Sequence, residues 1–191
     1  MHYAINYLNN PDVYKLGERV VVIGAGNAAM DVARTALRHG SRQVTCFSVT
    51  KKLAASQYEA SYAQLEGVDF QLNRKPIEIT DDGVIFRDVI EGEDGSLTEV
   101  EGSDALVPAD SVIISISQGP QNTITRTTSG LEANARGLLM ADENGHTSRP
   151  GVFASGDAVN GARTVVEAVA HSKKVAEAMH AYIQSTLEDA E

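Results

Sequence analysis

The stretch "VVVIGAGNAAMDVAR", residues 20–34, decides how this chain is read. Val20 to Ile23 are consecutive β-branched residues that run into a glycine, as expected of a parallel strand covered on both faces. Beyond the glycines, Ala29, Val32, Ala33, Ala36 and Leu37 fall at helical spacing, with Gly40 as the stop. Between strand and helix lies Gly24-x-Gly26-x-x-Ala29, the spacing of a dinucleotide-binding fingerprint. Gly24 permits the tight turn, Gly26 lets a diphosphate approach the backbone, and the small Ala29 lets the helix pack on the strand. The loop from Gly24 through Ala25 to Ala29 is therefore the candidate diphosphate site, backed by the free N–H groups and positive dipole end of the helix.

The end of the following strand selects the coenzyme. A carboxylate there would hold the adenosine ribose of NAD. This chain has "CFSVTKK", residues 46–52, with hydroxyls at Ser48 and Thr50 and ammonium groups at Lys51 and Lys52. A 2'-phosphate is better received by that set, so NADP(H) is expected and NAD(H) is the alternative. As ordinary solvated residues, Lys51 and Lys52 would carry no such role.

Outward from the loop, "YAINYLNN" reads as a short helix and "PDVYKLG" as the link after it. "QVTCFSV" is a second strand. "ASQYEASYAQLEG" sets Tyr58, Tyr62 and Leu65 on one helical face before Gly67, and "VDFQL" is a third strand. This β-α-β-α-β order implies a parallel sheet with right-handed crossovers. The segment "KPIEITDDGVIFRDVIEGEDGSLTEVEG" then alternates apolar and polar residues around "DDG" and "EDGS", an antiparallel meander, before "ADSVIISIS" (109–117) returns to a buried strand. Past residue 118 the chain is turn-rich until an expected strand at 152–154 and a final helix over 163–184. That helix has an expected inner stripe of Val165, Val169, Ser172, Ala176, Met179 and Ile183.

Composition narrows the function. With 42% hydrophobic and 22% charged residues in 191, a sizeable core is available. A net charge of -10 disfavours nucleic acid and anionic membrane surfaces as partners. The single cysteine, Cys46, excludes an internal disulfide, a CxxC redox pair or an iron–sulfur site within this chain. There is no apolar run of membrane-spanning length, and the first residues lack the apolar core of a signal peptide, so a cytoplasmic protein is expected. No histidine spacing suggests a metal site, and no nucleophile–base pair is apparent.

The Gly-rich segment with its meander, then "SVIISISQGPQN", then "TSRPGVFASGDAVNGARTVVEAV", occur in the order of the pyridine-nucleotide half of two-dinucleotide flavoproteins. More narrowly, the chain resembles the small (beta) subunit of glutamate synthase and its relatives, from about residue 5 to 185. The resemblance implies a Rossmann-like α/β fold with the meander as an insertion in the NAD(P)H domain, plus the C-terminal part of a split FAD domain. It implies an NAD(P)H-dependent flavin oxidoreductase, with hydride passing from the nicotinamide to the flavin. Gly24, Gly26 and Ala29 match the NADPH loop, with Asn27 and Ala28 where backbone N–H groups face the phosphates. Gly156 and Asp157 match the turn whose acid binds the flavin ribityl hydroxyls. Thr164 and Val165 match the helix start whose N–H groups lie near the flavin pyrimidine oxygen.

Three departures stand out. Where the family has Tyr-Arg-Arg, this chain has Ser48-Val49-Thr50; where it has Ile-Gly-Gln, this chain has Ile116-Ser117-Gln118, with Gln118 the matching cofactor residue; and a glycine of the last helix is Ser172. The expected organisation is a helix and linker at 1–16, the NAD(P)H domain at 17–118 and the returning part of an incomplete FAD domain at 119–191. The sixteen residues before the first strand hold no second Gly-rich unit, so the rest of the flavin domain is expected from a longer polypeptide or a partner subunit. The apolar faces of the 152–154 strand and the final helix would normally pack on the absent strands, so the 163–184 helix is expected to be buried in a homodimer or to pack loosely on the NAD(P)H domain; a well-ordered helix with its apolar stripe in solvent would contradict this. The alternative function is a nucleotide-binding sensor or interaction module without a redox step.

Overall fold

A computed structural model of the chain describes residues 1–117 and 119–188. It divides into two compact units, Met1–Ser117 and Gln118–Glu191.

In the first unit, β1 (His2–Tyr3), β2 (Arg19–Ile23), β3 (Gln43–Phe47), β4 (Val68–Gln71) and β9 (Ser111–Ile114) form a parallel sheet in the order β1-β9-β2-β3-β4. Helices α1 (Ala4–Asn9), α2 (Asn27–Arg38) and α3 (Gln57–Leu65) connect or flank these strands. The antiparallel strands β5 (Arg74–Thr80), β6 (Gly83–Glu91), β7 (Leu97–Glu99) and β8 (Ala105–Pro108) intervene between β4 and β9, with β6 paired to each of the other three. This is the α/β architecture that the alternation of strands and helices implies.

The two sides of β2 explain its unbroken apolar run. Val20 and Val22 pack with Ala29, Val32, Ala33 and Ala36 of α2, while Val21 and Ile23 pack with Val84 and Phe86 of β6. Phe47 of β3 stacks on Phe86 with ring centroids 3.9 Å apart. The meander is thus the second cover of the parallel sheet, as helices are in a doubly wound fold. Burial of Phe86 and Phe47 on this side is the main apolar attachment of the meander.

Two features of this unit go beyond the sequence reading. The two-residue β1 adds a parallel strand beside β9 at the sheet edge, where the sequence shows only a helix start; two residues are too few to carry a period. Tyr58, Tyr62 and Leu65 of α3 are all exposed, while Ala63 is the residue that is buried. The two tyrosines pack on each other, with a 3.1 Å hydroxyl contact, instead of entering the core.

The second unit contains α4 (Thr123–Thr127), α5 (Asp157–Asn160) and α6 (Val165–Glu188) joined by turns. The expected strand at 152–154 is reduced to a single antiparallel bridge between His146 and Phe153. The stripe expected to face inward on α6 is exposed along its length; the face carrying Ala168, His171, Val175, Ala178 and Tyr182 packs instead. The cause is local: Gly145 lies so near Val175 that a Cβ there would come within 2.6 Å of its methyl, and Phe153 packs edge-on to Tyr182. Among the described residues, no helix is long and apolar enough to cross a membrane.

Candidate functional site

The Gly-rich loop joins β2 to α2 at the carboxyl end of the parallel sheet. On one side of β2 lies β3, reached through α2, and on the other lies β9, so the strand order diverges at this loop. Such a switch point opens a crevice above the strands, the usual place for a nucleotide in an open α/β sheet. Gly24 has φ 132°, and a side chain there would overlap the carbonyl oxygen of Ser115, just past β9. Gly26, the N-cap of α2, has φ -87° and ψ 179° and faces open space, with nothing within 4 Å of where a Cβ would stand.

The carbonyl of Gly26 accepts from the amides of Ala29 and Met30 at 2.9 and 3.2 Å. The amides of Gly26, Asn27 and Ala28 have no protein acceptor among the described residues. Three donors at a helix N-terminus, beside space for a ligand, fit a diphosphate. Asn27 also acts through its side chain: Oδ1 accepts from the Ser56 amide at 2.8 Å, and the Ala25 carbonyl accepts from Ala55 at 2.8 Å. The segment after β3 is thereby tied to the phosphate loop, a role that the backbone-only reading of Asn27 did not include.

At the ribose end, the Thr50 hydroxyl donates to the Lys52 carbonyl at 2.8 Å. The Ser48 hydroxyl then donates to Thr50 Oγ1 at 3.0 Å, so both hydroxyl protons are engaged within the loop. Lys51 and Lys52 are exposed, and neither ammonium forms an ion pair among the described residues. They are the groups of this loop left to meet a phosphate. Glu91 at the end of β6 accepts the Lys51 amide at 2.7 Å, holding the loop by its backbone while its lysine side chain stays free. Gln118 lies outside the described residues.

In the second unit, Gly156 (φ 65°, ψ -144°) turns the chain into α5. Asp157 accepts the Arg163 amide through Oδ1 at 3.3 Å. Asp157, Thr164 and Val165 line a cavity of about 430 Å³ together with Ala168, Val169 and Ser172. Three of the four residues expected at the flavin thus share one concave surface, while Gly156 forms the turn before Asp157. One amide is used differently from expectation. Thr164 and Glu167 form a capping box: the Thr164 amide donates to Glu167 Oε2 at 3.0 Å, and the Glu167 amide donates to Thr164 Oγ1 at 3.3 Å. Hydrogen bonds from Thr164 hold the Glu167 carboxyl below its usual range. The Val165 amide has no acceptor among the described residues and remains the donor at the helix start.

Cys46 is buried in β3, and burial pushes its thiol up to about 12, so it stays protonated and unreactive at neutral pH. Among the described residues no cluster of histidine, cysteine or carboxylate side chains could hold a metal.

Comparisons with known proteins bear on the family and the fold. A family model described as pyridine nucleotide-disulphide oxidoreductase matches residues 2–172. The chain is 35% identical over 187 residues to the glutamate synthase [NADPH] small chain of Halomonas elongata, covering 87% of this chain and 39% of that protein. It is 33% identical over 193 residues to the glutamate synthase [NADPH] small chain of Escherichia coli, covering 92% and 41%. The chain thus spans about two fifths of the length of these curated relatives. Among solved structures, T. acidophilum thioredoxin reductase superposes with a TM-score of 0.72 at 26% identity, over 88% of this chain and 53% of that one.

Proposed function

The chain belongs to the pyridine nucleotide-disulphide oxidoreductase family, and from that premise we propose that it is the NAD(P)H-binding part of a flavoprotein oxidoreductase that passes hydride from NADPH to FAD, as in a glutamate synthase small subunit. The observation that carries this reading is the set of unpaired amides at Gly26, Asn27 and Ala28, opening onto space at the sheet's switch point. The diphosphate of the coenzyme accepts from these amides. Lys51 and Lys52 receive its 2'-phosphate. Asp157 and the Val165 amide hold FAD at the concave surface of the second unit, together with residues of the flavin domain beyond this chain.

The reaction chemistry belongs to the cofactors, which exchange a hydride between nicotinamide and flavin rings. The protein's own work is to bind, orient and exclude water. No side chain has to donate or abstract a proton in that step, consistent with an unreactive Cys46. The exposed stripe of α6 is the surface that the remaining flavin domain, or a second copy of the chain, covers.

Calorimetry of the chain with NADPH and NADH tests the first half of this reading, with micromolar NADPH binding the expected outcome. Reconstitution with the flavin half then tests electron transfer: NADPH should bleach the flavin absorbance under anaerobic conditions. Tight coenzyme binding without bleaching in reconstituted, flavin-loaded protein would favour a redox-silent sensor.

A further inference from the structure

The imidazole of His171 on α6 sits against the Gly156 turn. Its Nδ1 lies 3.2 Å from the Gly156 amide nitrogen and 3.0 Å from the Asn160 side-chain nitrogen. A backbone amide can only donate, so Nδ1 must present its lone pair and the ring proton sits on Nε2. The Asn160 amide nitrogen then donates to the same atom. One ring nitrogen thus fixes both ends of a very short element: Gly156 precedes Asp157, and Asn160 closes α5.

Away from α6 the turn has two further ties: the Leu139 amide donates to the Ala158 carbonyl at 2.8 Å, and Asp157 accepts the Arg163 amide at 3.3 Å. Gly156 has φ 65° and ψ -144°, a backbone state open essentially to glycine alone. Its carbonyl accepts from Val159 and Asn160, which shapes α5 internally but does not attach it to α6. The hydroxyl pair of Ser155 and Ser172, 2.9 Å apart, is the neighbouring polar contact to the same helix.

We propose that His171 is a positioning residue that holds the Gly156–Asp157 turn on α6 through the lone pair of its Nδ1, so that the turn is held only while the imidazole is neutral. An imidazolium would place an N–H against the Gly156 N–H, two donors face to face, and both bonds would be lost. The charged groups around the ring are Asp157 on α5, Arg163 on the connecting segment and Glu167 one turn earlier on α6. Lys174, one turn later, pairs with Glu143 at 3.7 Å. Arg163 and Glu167 pair with each other at 3.4 Å, and Asp157 takes the Arg163 amide. None of them accepts from His171 Nδ1, so no partner for a protonated Nδ1 is in place. The functional consequence, weaker FAD retention as pH falls, rests on the reading of Asp157 as a flavin contact; the geometric assignment does not.

The test is NMR of the whole chain across the histidine titration, with three proteins: unaltered, His171→Gln and His171→Ala. Imidazole ¹⁵N shifts are expected to show the Nε2–H tautomer, and the Gly156 and Asn160 signals should move together with the His171 ring signals as pH is lowered. In His171→Gln, whose side-chain oxygen accepts without titrating, those signals should hold steady over the same range. In His171→Ala the Gly156 amide should exchange with solvent about tenfold faster, for loss of its acceptor. An Nδ1–H tautomer, or a Gly156 signal indifferent to His171, overturns the proposal. Unaltered signals from Gly145, Phe153 and Val175, which pack within the same unit, confirm that each variant is folded there. FAD titration of the flavin-free chain reconstituted with the flavin half forms the second arm: affinity should fall about tenfold as pH is lowered in the parent and stay level in His171→Gln. Level affinity in the parent refutes the functional consequence. Failure to bind FAD at any pH refutes the flavin reading instead, while the NMR result still decides the role of His171.

Discussion

Gly24 and Gly26 are two residues apart in one motif, yet their glycine identities have different causes. Gly24 is required by the fold: its φ of 132° and the Ser115 carbonyl leave no room for a side chain. Gly26 adopts an ordinary extended backbone and faces open space, so only a ligand gives it a reason to lack a Cβ. Gly24→Ala is therefore expected to cost more than about 2 kcal/mol, read as a lowered denaturant midpoint. Gly26→Ala should cost less than about 1 kcal/mol while weakening NADPH at least tenfold by calorimetry. Equal affinity in Gly26→Ala would mean that no diphosphate approaches there. The motif was legible from its spacing, but the reason for Gly24 was not, because Ser115 lies more than ninety residues away along the chain. The lysines give a second residue-scale test. With the Ser48 and Thr50 hydroxyl protons engaged in the loop, Lys51→Ala/Lys52→Ala should weaken NADPH about tenfold and NADH less than about twofold. A parallel loss for both coenzymes would remove the 2'-phosphate from this reading.

At the scale of elements, the parallel strands are fastened at their amino ends by one carboxylate. Asp110, just before β9, accepts the Glu18 and Arg19 amides at 3.0 and 2.8 Å and pairs with the Arg19 guanidinium at 2.6 Å. The Arg19 side chain, followed by its amide, holds the Asp110 carboxyl at about 2. An ordinary aspartate titrates near 3.9, so the folded state has the lower value and this carboxylate favours folding above about pH 4. That contribution disappears as pH falls from about 4 toward 2. Asp110→Asn should therefore flatten the acid limb of a stability–pH curve between those limits and change its slope little near neutrality. An unchanged acid limb would assign the acid sensitivity to other groups. The elements also show where sequence patterns stop being informative. The fully buried β2 was legible because both of its faces are covered, whereas α3 and α6 each carry more than one apolar stripe. Periodicity alone could not tell which stripe of α6 Gly145 and Phe153 would meet. The Thr164–Glu167 capping box has a recognisable spacing, but a helix start read for its free amides conceals that one of them is already taken.

At the scale of the whole molecule, the exposed side of α6 is the feature that a lone chain cannot satisfy. Val165, Val169, Met179 and Ile183 are 78, 48, 42 and 52% exposed along one face, and the first two line the concave surface that includes Asp157. The sequence marks this stripe as apolar, but the burial expected of it is absent among the described residues: the helix is regular and the stripe lies in solvent. The sequence could not show that the second unit would pack on the other face and leave the stripe free, since that depends on how the turns at 142–153 fold back. Exposed apolar area on this scale drives association, and each residue that becomes buried contributes roughly 1.5–3 kcal/mol. The isolated chain is therefore expected to self-associate at micromolar concentration, measured by light scattering after size exclusion. Val169→Glu/Ile183→Glu should yield a monomer whose first unit is unchanged by circular dichroism and whose NADPH affinity is preserved, because both substitutions lie far along the sequence from the Gly-rich loop. Adding the flavin half to the unaltered chain should produce a one-to-one complex in place of the self-associated form, and the same double substitution should abolish it. A chain that is monomeric before substitution and still combines with the flavin half after it would show that α6 is not the covered face, and the surface holding FAD would have to be sought elsewhere in the second unit.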